Sequence, residues 1–500
     1  MKNACMVWGA SSGAGKSLLT TALCRWAHRQ GLNVAPFKAQ NMSNNARVVP
    51  GLDGGLGEIG SAQYFQALAA GVRPHVDMNP VLLKPERDTA SQVVVQGRAD
   101  LALSQLPWRE RSALLARVAR ESFERLAAAH DLLVIEGAGS PAEINLASSD
   151  YVNLGTARWA QALGRLQALV VSDIDRGGAF AHLYGTWALL PPDLRGALRG
   201  FVLNKFRGDA RLLAPGPAQL QELTGVPVLG VLPMTPDHGL PEEDGLAAPA
   251  NWTADGPRIA VLAWPHLSNL DEFQPLATAG LLRWVRSAAE LDGADWIVLP
   301  GSKQVSGDLA WLRQRGLDAA ILRHADQGRP VLGICGGFQM LGRWLDDPDG
   351  VDGVAHGPIP GLGLLPLTTR YAAPKRLRAA PVHCRGLLAP WQALHGLTLD
   401  AYEIRCGATG CEDPALARAV LFDADDQAVG WQGQGARAQV LGLATHGVFE
   451  NANALQALFG ARVVPLHARL DRLADLLEAA LGRAHLTALL DPPRSAGSGA

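Results

Sequence analysis

The sequence predicts an α/β protein of two successive domains, each built on a parallel sheet. Three observations carry that expectation. Five hundred residues exceed what one hydrophobic core organises. Short apolar runs alternate with helical patterns, as parallel strands with crossover helices require. Glycine-rich strand–turn–helix junctions stand at residues 4–28 and 331–341, the kind of place where such sheets concentrate chemistry.

At the first junction, Ala4-Cys5-Met6-Val7-Trp8 reads as a strand and residues 18–28 as a helix. Between them runs Gly9-Ala10-Ser11-Ser12-Gly13-Ala14-Gly15-Lys16-Ser17. Such a loop presents backbone N–H groups to phosphate, with Gly13 and Gly15 supplying its bends. Lys16 is placed to reach the β/γ-phosphates and Ser17 to ligate Mg²⁺. The strict phosphate-loop pattern would put glycine at position 10, where this chain has Ala10. Gly9 stands one residue early, and the longer loop resembles the dethiobiotin synthetase type.

Further strands are expected over 34–37, 131–135, 168–172, 200–203 and 228–232, with helices over 59–70, 110–129 and 179–190. Polar residues follow four of these strands: Lys38, Glu136, the pair Asp173 and Asp175, and Asn204-Lys205. Ligands in parallel sheets sit at the carboxyl ends of strands, so the four ends point to a shared site. Glu136 suits Mg²⁺, directly or through water, against the alternative of a turn carboxylate. Lys38 suits a substrate carboxylate or a transferring phosphoryl group. Arg176-Gly177-Gly178 reads as an anion-binding turn, and Asn204 and Lys205 suit a nucleotide base.

Residues 246–256 lose all periodicity and read as a linker, dividing a domain of residues 1–245 from one of 257–460. A strand over 258–262 opens the second pattern. A helix near Leu455 closes that second domain, and residues 461–500 read as an extension with a helix over 466–481 and a disordered tail from 492. Gly- and Pro-rich segments between 346 and 366 read as surface excursions.

The second junction is Val331-Leu332-Gly333-Ile334-Cys335-Gly336-Gly337. Gly333-x-Cys335-x-Gly337 is the cysteine counterpart of the nucleophile elbow, whose small flanks permit a strained backbone and close helix–strand approach. A helix start beneath the sulfur favours the thiolate. The competing reading is a buried core cysteine. The best candidate base is His446, at the end of the strand-like run from Val440, with His383 as its main competitor. Together these residues resemble a class I glutamine amidotransferase domain, in which cysteine attacks the side-chain amide of glutamine and ammonia leaves. The resemblance implies oxyanion and glutamine contacts at Gly301, Ser302, Gly336 and Gln339. The commonest pattern in that class has glutamate two residues after the histidine. Val448 stands there instead, and Glu450 is four residues away, so no third member is assigned.

The balance of 45 basic and 47 acidic residues gives no electrostatic case for nucleic acid. The six cysteines include no C-x-x-C pair, which argues against a zinc site. A strand and phosphate loop occupy the first residues, where a signal peptide would stand, and no apolar run is long enough to span a bilayer. A soluble, cytoplasmic protein without membrane partners is expected.

Longer runs carry a closer resemblance. They are 38–43 (Lys-Ala-Gln-Asn-Met-Ser), 57–60 (Gly-Glu-Ile-Gly), 78–85 (Met-Asn-Pro-Val-Leu-Leu-Lys-Pro), 91–95, 135–146, 172–178 and 203–209. With 299–303 and the Cys335 elbow, they resemble the cobyric acid synthase family. That family amidates the b, d, e and g carboxylates of adenosylcobyrinic acid a,c-diamide, using glutamine, ATP and Mg²⁺, and yields adenosylcobyric acid in cobalamin biosynthesis. The resemblance implies Lys16 and Ser17 on phosphates and metal, Glu136 on the metal and Asn204 on the base. It implies Glu58, Lys84 and Asp173 on the corrinoid–ATP side. The sister enzyme that amidates the a and c carboxylates is the nearest alternative. A P-loop switch with an inert amidotransferase-like appendage, and a dethiobiotin synthetase-like enzyme with an idle second domain, are the others.

Overall fold

The computed structural model of the chain describes residues 2–87, 90–235, 238, 240, 252–253, 255–353, 356–462 and 464–490. Within the expected linker, residues 246–251 and 254 lie outside the described residues, as does the expected tail from 492.

The first domain is a six-stranded sheet in the order Val228–Pro233, Leu198–Phe206, Gly164–Asp173, Lys2–Gly9, Leu132–Glu136, Val34–Phe37, every pair parallel. Both faces are covered, so the central strand is apolar from Ala4 to Trp8 rather than alternating. Ala4, Met6 and Trp8 point to one core, and Cys5 and Val7 to the other. The expected strands all correspond to one of these six, the one expected over 131–135 beginning at Leu132. The helix expected over 59–70 is shorter, Ser61–Ala69, because β-branched Ile59 belongs to the strand Leu56–Gly60. That strand pairs antiparallel with Ala46–Pro50 in a hairpin directed at the second domain.

The second domain has a nine-stranded sheet in the order Leu282–Val285, Ile259–Leu262, Trp296–Leu299, Val331–Ile334, Val440–Leu443, Ala428–Gly433, Ala417–Phe422, Val382–Cys384, Thr398–Leu399. The first five strands are parallel and the remainder antiparallel. Residues 346–366 are not all excursion: His356–Pro360 pairs with Trp344–Asp347 in a four-stranded sheet with Leu367–Ala379 and Tyr402–Cys411.

The C-terminal helices are not an appendage to the second domain. Leu466–Leu481 lies on the phosphate-loop helix Lys16–Arg29, and Arg483–Leu490 continues onto the first sheet. Leu470, Leu473, Leu477 and Leu481 form the apolar stripe that enters the core with Leu19, Leu23 and Trp26. Asp471 pairs with Arg25 at 2.8 Å, and the buried Trp26 indole donates to Glu478 at 2.6 Å. The chain therefore leaves the first domain and returns to complete it. Among the described residues, no helix is long and apolar enough to cross a membrane.

Candidate active site

Two groups of reactive side chains stand at the carboxyl ends of the two sheets. In the first domain the loop after Gly9 leads into the helix Lys16–Arg29 through Gly15. Gly15 takes φ 104°, and a Cβ there would stand 1.9 Å from Asn204 Nδ2, so only glycine fits. Lys16 is buried and curls over the loop, donating to the carbonyls of Ser11 at 3.2 Å and Gly139 at 3.0 Å. Ser17 Oγ donates to Glu136 Oε1 at 2.9 Å. Lys38 Nζ donates to the same oxygen at 2.7 Å, and Gln66 donates to the other. Glu136 is fully buried, and these three donors are what permit a carboxylate there.

Across the loop, Asn204 Nδ2 donates to the Ala14 carbonyl at 3.0 Å and Lys205 Nζ to the Gly13 carbonyl at 2.8 Å. Asp173 sits beside them, 3.1 Å from Lys205 and 3.5 Å from Arg176. The four strand ends therefore converge on the phosphate loop. The hydroxyl of Ser17 and the carboxylate of Glu136 form a hard-oxygen set of the kind Mg²⁺ takes alongside nucleotide phosphates. Among the described residues no cluster of three or more His, Cys, Asp or Glu could hold a metal by itself.

Glu58 and Lys84 stand apart from the Ser17–Glu136 group in their contacts. They pair with each other at the domain junction, and Lys375 of the second domain reaches Glu58 Oε1 at 2.8 Å. Burial opposes the charge on Glu58, but Lys375 and Lys84 outweigh it and hold the carboxyl down at about 2. Lys303 donates to Gln92 across the same junction at 3.0 Å.

In the second domain, Cys335 follows the strand Val331–Ile334 with φ 50° and ψ −107°, a strained conformation for a residue with a side chain. The helix Gly336–Met340 starts at once, pressed so tightly on the sheet that a Cβ on Gly337 would lie 2.0 Å from the Leu299 carbonyl oxygen. Cys335 stands close enough to His446 to raise its pKa, and its sulfur lies 3.9 Å from the Ile404 carbonyl. His446 is buried, and its Nδ1–H donates to Glu272 Oε1 at 2.7 Å, while Glu272 Oε2 accepts from Gly447 N at 3.0 Å. Burial opposes protonation of His446, but Cys335 and Glu272 outweigh it and raise its pKa to about 10.

Glu272 is the residue that sequence reasoning missed. It lies 174 positions before His446, on the turn Leu270–Phe273, and no spacing rule connects the two. Glu450 faces Arg47 instead. His383 is remote from the thiol, with its Nδ1 3.1 Å from Thr398 Oγ1 on a peripheral strand pair. Burial pushes Cys5 and Cys384 up to about 12, the mark of inert core thiols.

The segment Gly301–Ser302 runs directly past the elbow. A Cβ on Gly301 would stand 2.9 Å from His446 Cε1, and one on Gly336 would stand 2.7 Å from Ser302 N. The Ser302 hydroxyl donates to Asp308 at 2.6 Å, so its side chain serves the loop and its backbone faces the elbow. Gln339 is buried and accepts from Tyr371 Oη at 2.9 Å. Between the domains opens a cavity of about 540 Å³, lined in part by Met42, Asn45, Trp264, Arg286, Trp311 and Arg315.

Comparison with known proteins divides the chain in the same way. Residues 5–246 match the CobQ/CobB/MinD/ParA nucleotide binding domain, and residues 258–454 the CobB/CobQ-like glutamine amidotransferase domain. The cobyric acid synthase of Methylibium petroleiphilum is 60% identical over 487 residues, covering 95% of this chain and 94% of that protein. That of Leptothrix cholodnii is 56% identical, covering 99% and 98%, and that of Paracidovorax citrulli 58% identical, covering 94% and 95%. By both domains and nearly its full length, the chain belongs to the cobyric acid synthase family of glutamine-dependent amide ligases.

Proposed function

We propose that the chain amidates the b, d, e and g carboxylates of adenosylcobyrinic acid a,c-diamide to give adenosylcobyric acid, with glutamine as nitrogen donor and ATP as activator. The observation that carries the reading is that one chain holds a phosphate-loop group around Lys16, Ser17 and Glu136 and a Cys335–His446–Glu272 group, on two domains joined through Glu58 and Lys375.

In the second domain, the Cys335 thiolate attacks the side-chain carbonyl carbon of glutamine. Backbone N–H groups around Gly301 and Gly336 hold the oxyanion. His446 gives its proton to the leaving nitrogen, releasing ammonia and a thioester that water hydrolyses to glutamate. Glu272 keeps the imidazole oriented and favours its charged form. Gln339 and Ser302 line the glutamine side of the elbow.

In the first domain, a corrinoid carboxylate oxygen attacks the γ-phosphorus of ATP, giving an acyl phosphate and ADP. Ammonia then adds to the acyl carbon and phosphate leaves, a group that departs where oxide would not. Gly13, Gly15 and Lys16 hold the phosphates, Lys38 the transferring group, and Arg176 and Lys205, tied to Asp173, the flank of the loop. Ser17 and Glu136 would hold Mg²⁺, which neutralises phosphate charge. Asn204 fixes the loop and stands where a base would lie. We place part of the corrin ring in the junction cavity, with Trp264 and Trp311 against the macrocycle and Arg286 and Arg315 facing its peripheral carboxylates.

The junction also suits neutral ammonia. Ile404, whose carbonyl faces Cys335, packs on Ala46, Leu82 and Val94 of the first domain. An apolar seam of this kind disfavours ammonium and keeps the nucleophile unprotonated.

The experiment is amide formation and glutamate release from purified protein given the a,c-diamide, ATP and Mg²⁺. Cys335→Ala is expected to abolish the glutamine-driven reaction and retain the one driven by added ammonium, whereas Lys16→Ala blocks both. No turnover of the a,c-diamide by the unmodified chain ends the reading.

A further inference from the structure

The Cys335–His446 centre is not held by its own domain alone. Arg47, on the first-domain strand Ala46–Pro50, is only 3% exposed and reaches across the junction. Its Nε donates to Asp271 Oδ2 at 2.7 Å and its Nη1 to Glu450 Oε2 at 2.8 Å, while Nη2 contacts both carboxylates. Its guanidinium lies over the Tyr402 ring, 4.6 Å from the centroid.

Each of these partners is one step from the catalytic histidine. Asp271 immediately precedes Glu272, the carboxylate bonded to His446. Glu450 ends the turn Val448–Glu450, which follows His446 and Gly447. Tyr402 stacks on the imidazole at 5.1 Å and 20°, and its backbone exchanges hydrogen bonds with that of His446 at 2.8 and 3.3 Å. A forked guanidinium can grip two carboxylates and cover a ring at once, which the point charge of lysine cannot.

Arg47 is itself firmly based. Val48, next to it, pairs in register with Glu58, which is fixed by Lys84 and Lys375. The second strand of the hairpin runs directly into the helix Ser61–Ala69, whose Gln66 donates to Glu136. A path of hydrogen bonds and backbone thus joins the carboxylate beside the phosphate loop to Arg47.

We propose that Arg47 is a positioning residue for glutamine hydrolysis. It acts through Asp271, Glu450 and Tyr402 to keep Glu272 on His446, so that the second domain reacts at full rate only when docked on the first. The inference rests on Cys335 and His446 being the glutamine-hydrolysing pair.

The test is glutamate release by the full-length protein. Arg47→Ala is expected to lower kcat by about 10- to 100-fold, the scale of a small misplacement of a reacting group. KM for glutamine should stay within about twofold, because Arg47 braces the histidine and not the Gln339–Tyr371 side of the pocket. Arg47→Lys should recover part of the loss, and ammonium-driven amidation should fall less than glutamine hydrolysis. Asp271→Asn, nearly isosteric, should lower kcat in the same direction at unchanged KM, and decides the matter if Arg47→Ala does not fold. A wild-type kcat in Arg47→Ala, or an equal fall in both reactions, overturns the proposal. Cys335→Ala separates the two layers of argument. If it still releases glutamate, the reading of the centre fails. If it is inactive while Arg47→Ala matches wild type, only the role of Arg47 fails.

Discussion

Replacing Glu272 by glutamine removes one negative charge and almost no volume. The carboxylate makes two contacts that both need an acceptor: the His446 ring N–H at 2.7 Å and the Gly447 N–H at 3.0 Å. Glutamine offers one carbonyl oxygen and an NH₂, so one donor faces another donor. A buried hydrogen bond to a charged group contributes about 1.5–3 kcal/mol. Converted at about 1.4 kcal/mol per decade, that predicts a fall of about 10- to 150-fold in kcat for glutamine hydrolysis. The pH profile gives a second readout. His446 has its pKa raised to about 10, so its charged form persists from neutrality upward and is lost as pH rises through that value. Without Glu272 one of the two groups that raise it is gone, and the alkaline limb must move to lower pH. Glutamate release measured from pH 6 to 10.5, beside ammonium-driven amidation as a control, reads both effects. An unchanged kcat with an unmoved alkaline limb would show that Glu272 is a bystander.

Gly301→Ala places a methyl 2.9 Å from His446 Cε1 and 2.8 Å from Ser268 Oγ, so glutamate release should fall while ammonium-driven synthesis survives. Overpacking of this kind costs about 1–3 kcal/mol, and retention of full glutaminase rate refutes the close approach. Leu477→Ala removes a buried side chain from the helix that closes the first domain, and should cost about 2–5 kcal/mol in urea unfolding. A change within error would mean that the C-terminal helix is dispensable. Arg315→Ala should raise KM for the corrinoid and leave KM for glutamine unchanged, measured by steady-state amidation. The opposite pattern removes the corrin from the junction cavity.

Much of this was legible from sequence because the chemistry is local. Lys16 and Ser17 sit on one loop, and Cys335 is bracketed by glycines that the elbow itself requires. Apolar strands covered on both faces are continuous runs, and each one expected in the first domain corresponds to a strand of its sheet. What escaped depends on contacts between distant parts of the chain. Glu272 stands on an irregular turn whose sequence carries no periodicity. The helix over 466–481 was expected, but its apolar stripe of Leu470, Leu473 and Leu477 does not say which surface it will cover. The resemblance alone put Glu58 and Lys84 on the corrinoid–ATP side, and their pairing with each other and the contact of Glu58 with Lys375 of the second domain have no signal in the sequence.

The placement of Glu272 has a consequence for how the two reactions share one chain. In the commoner amidotransferase pattern the carboxylate follows the histidine closely and is held by the same turn. Here it comes from the loop after the strand Ile259–Leu262, and that loop is gripped by the first domain: Asn269 accepts from Ala46 N at 3.0 Å, and Leu270 N donates to Asn45 at 2.9 Å. The orientation of His446 therefore depends on a segment whose position is set at the domain junction. Hydrolysing glutamine without a seated acceptor domain would release ammonia to water, where it becomes unreactive ammonium. On the proposed mechanism, an orienting carboxylate on a loop that both domains hold would tie the generation of ammonia to the presence of the surface that uses it.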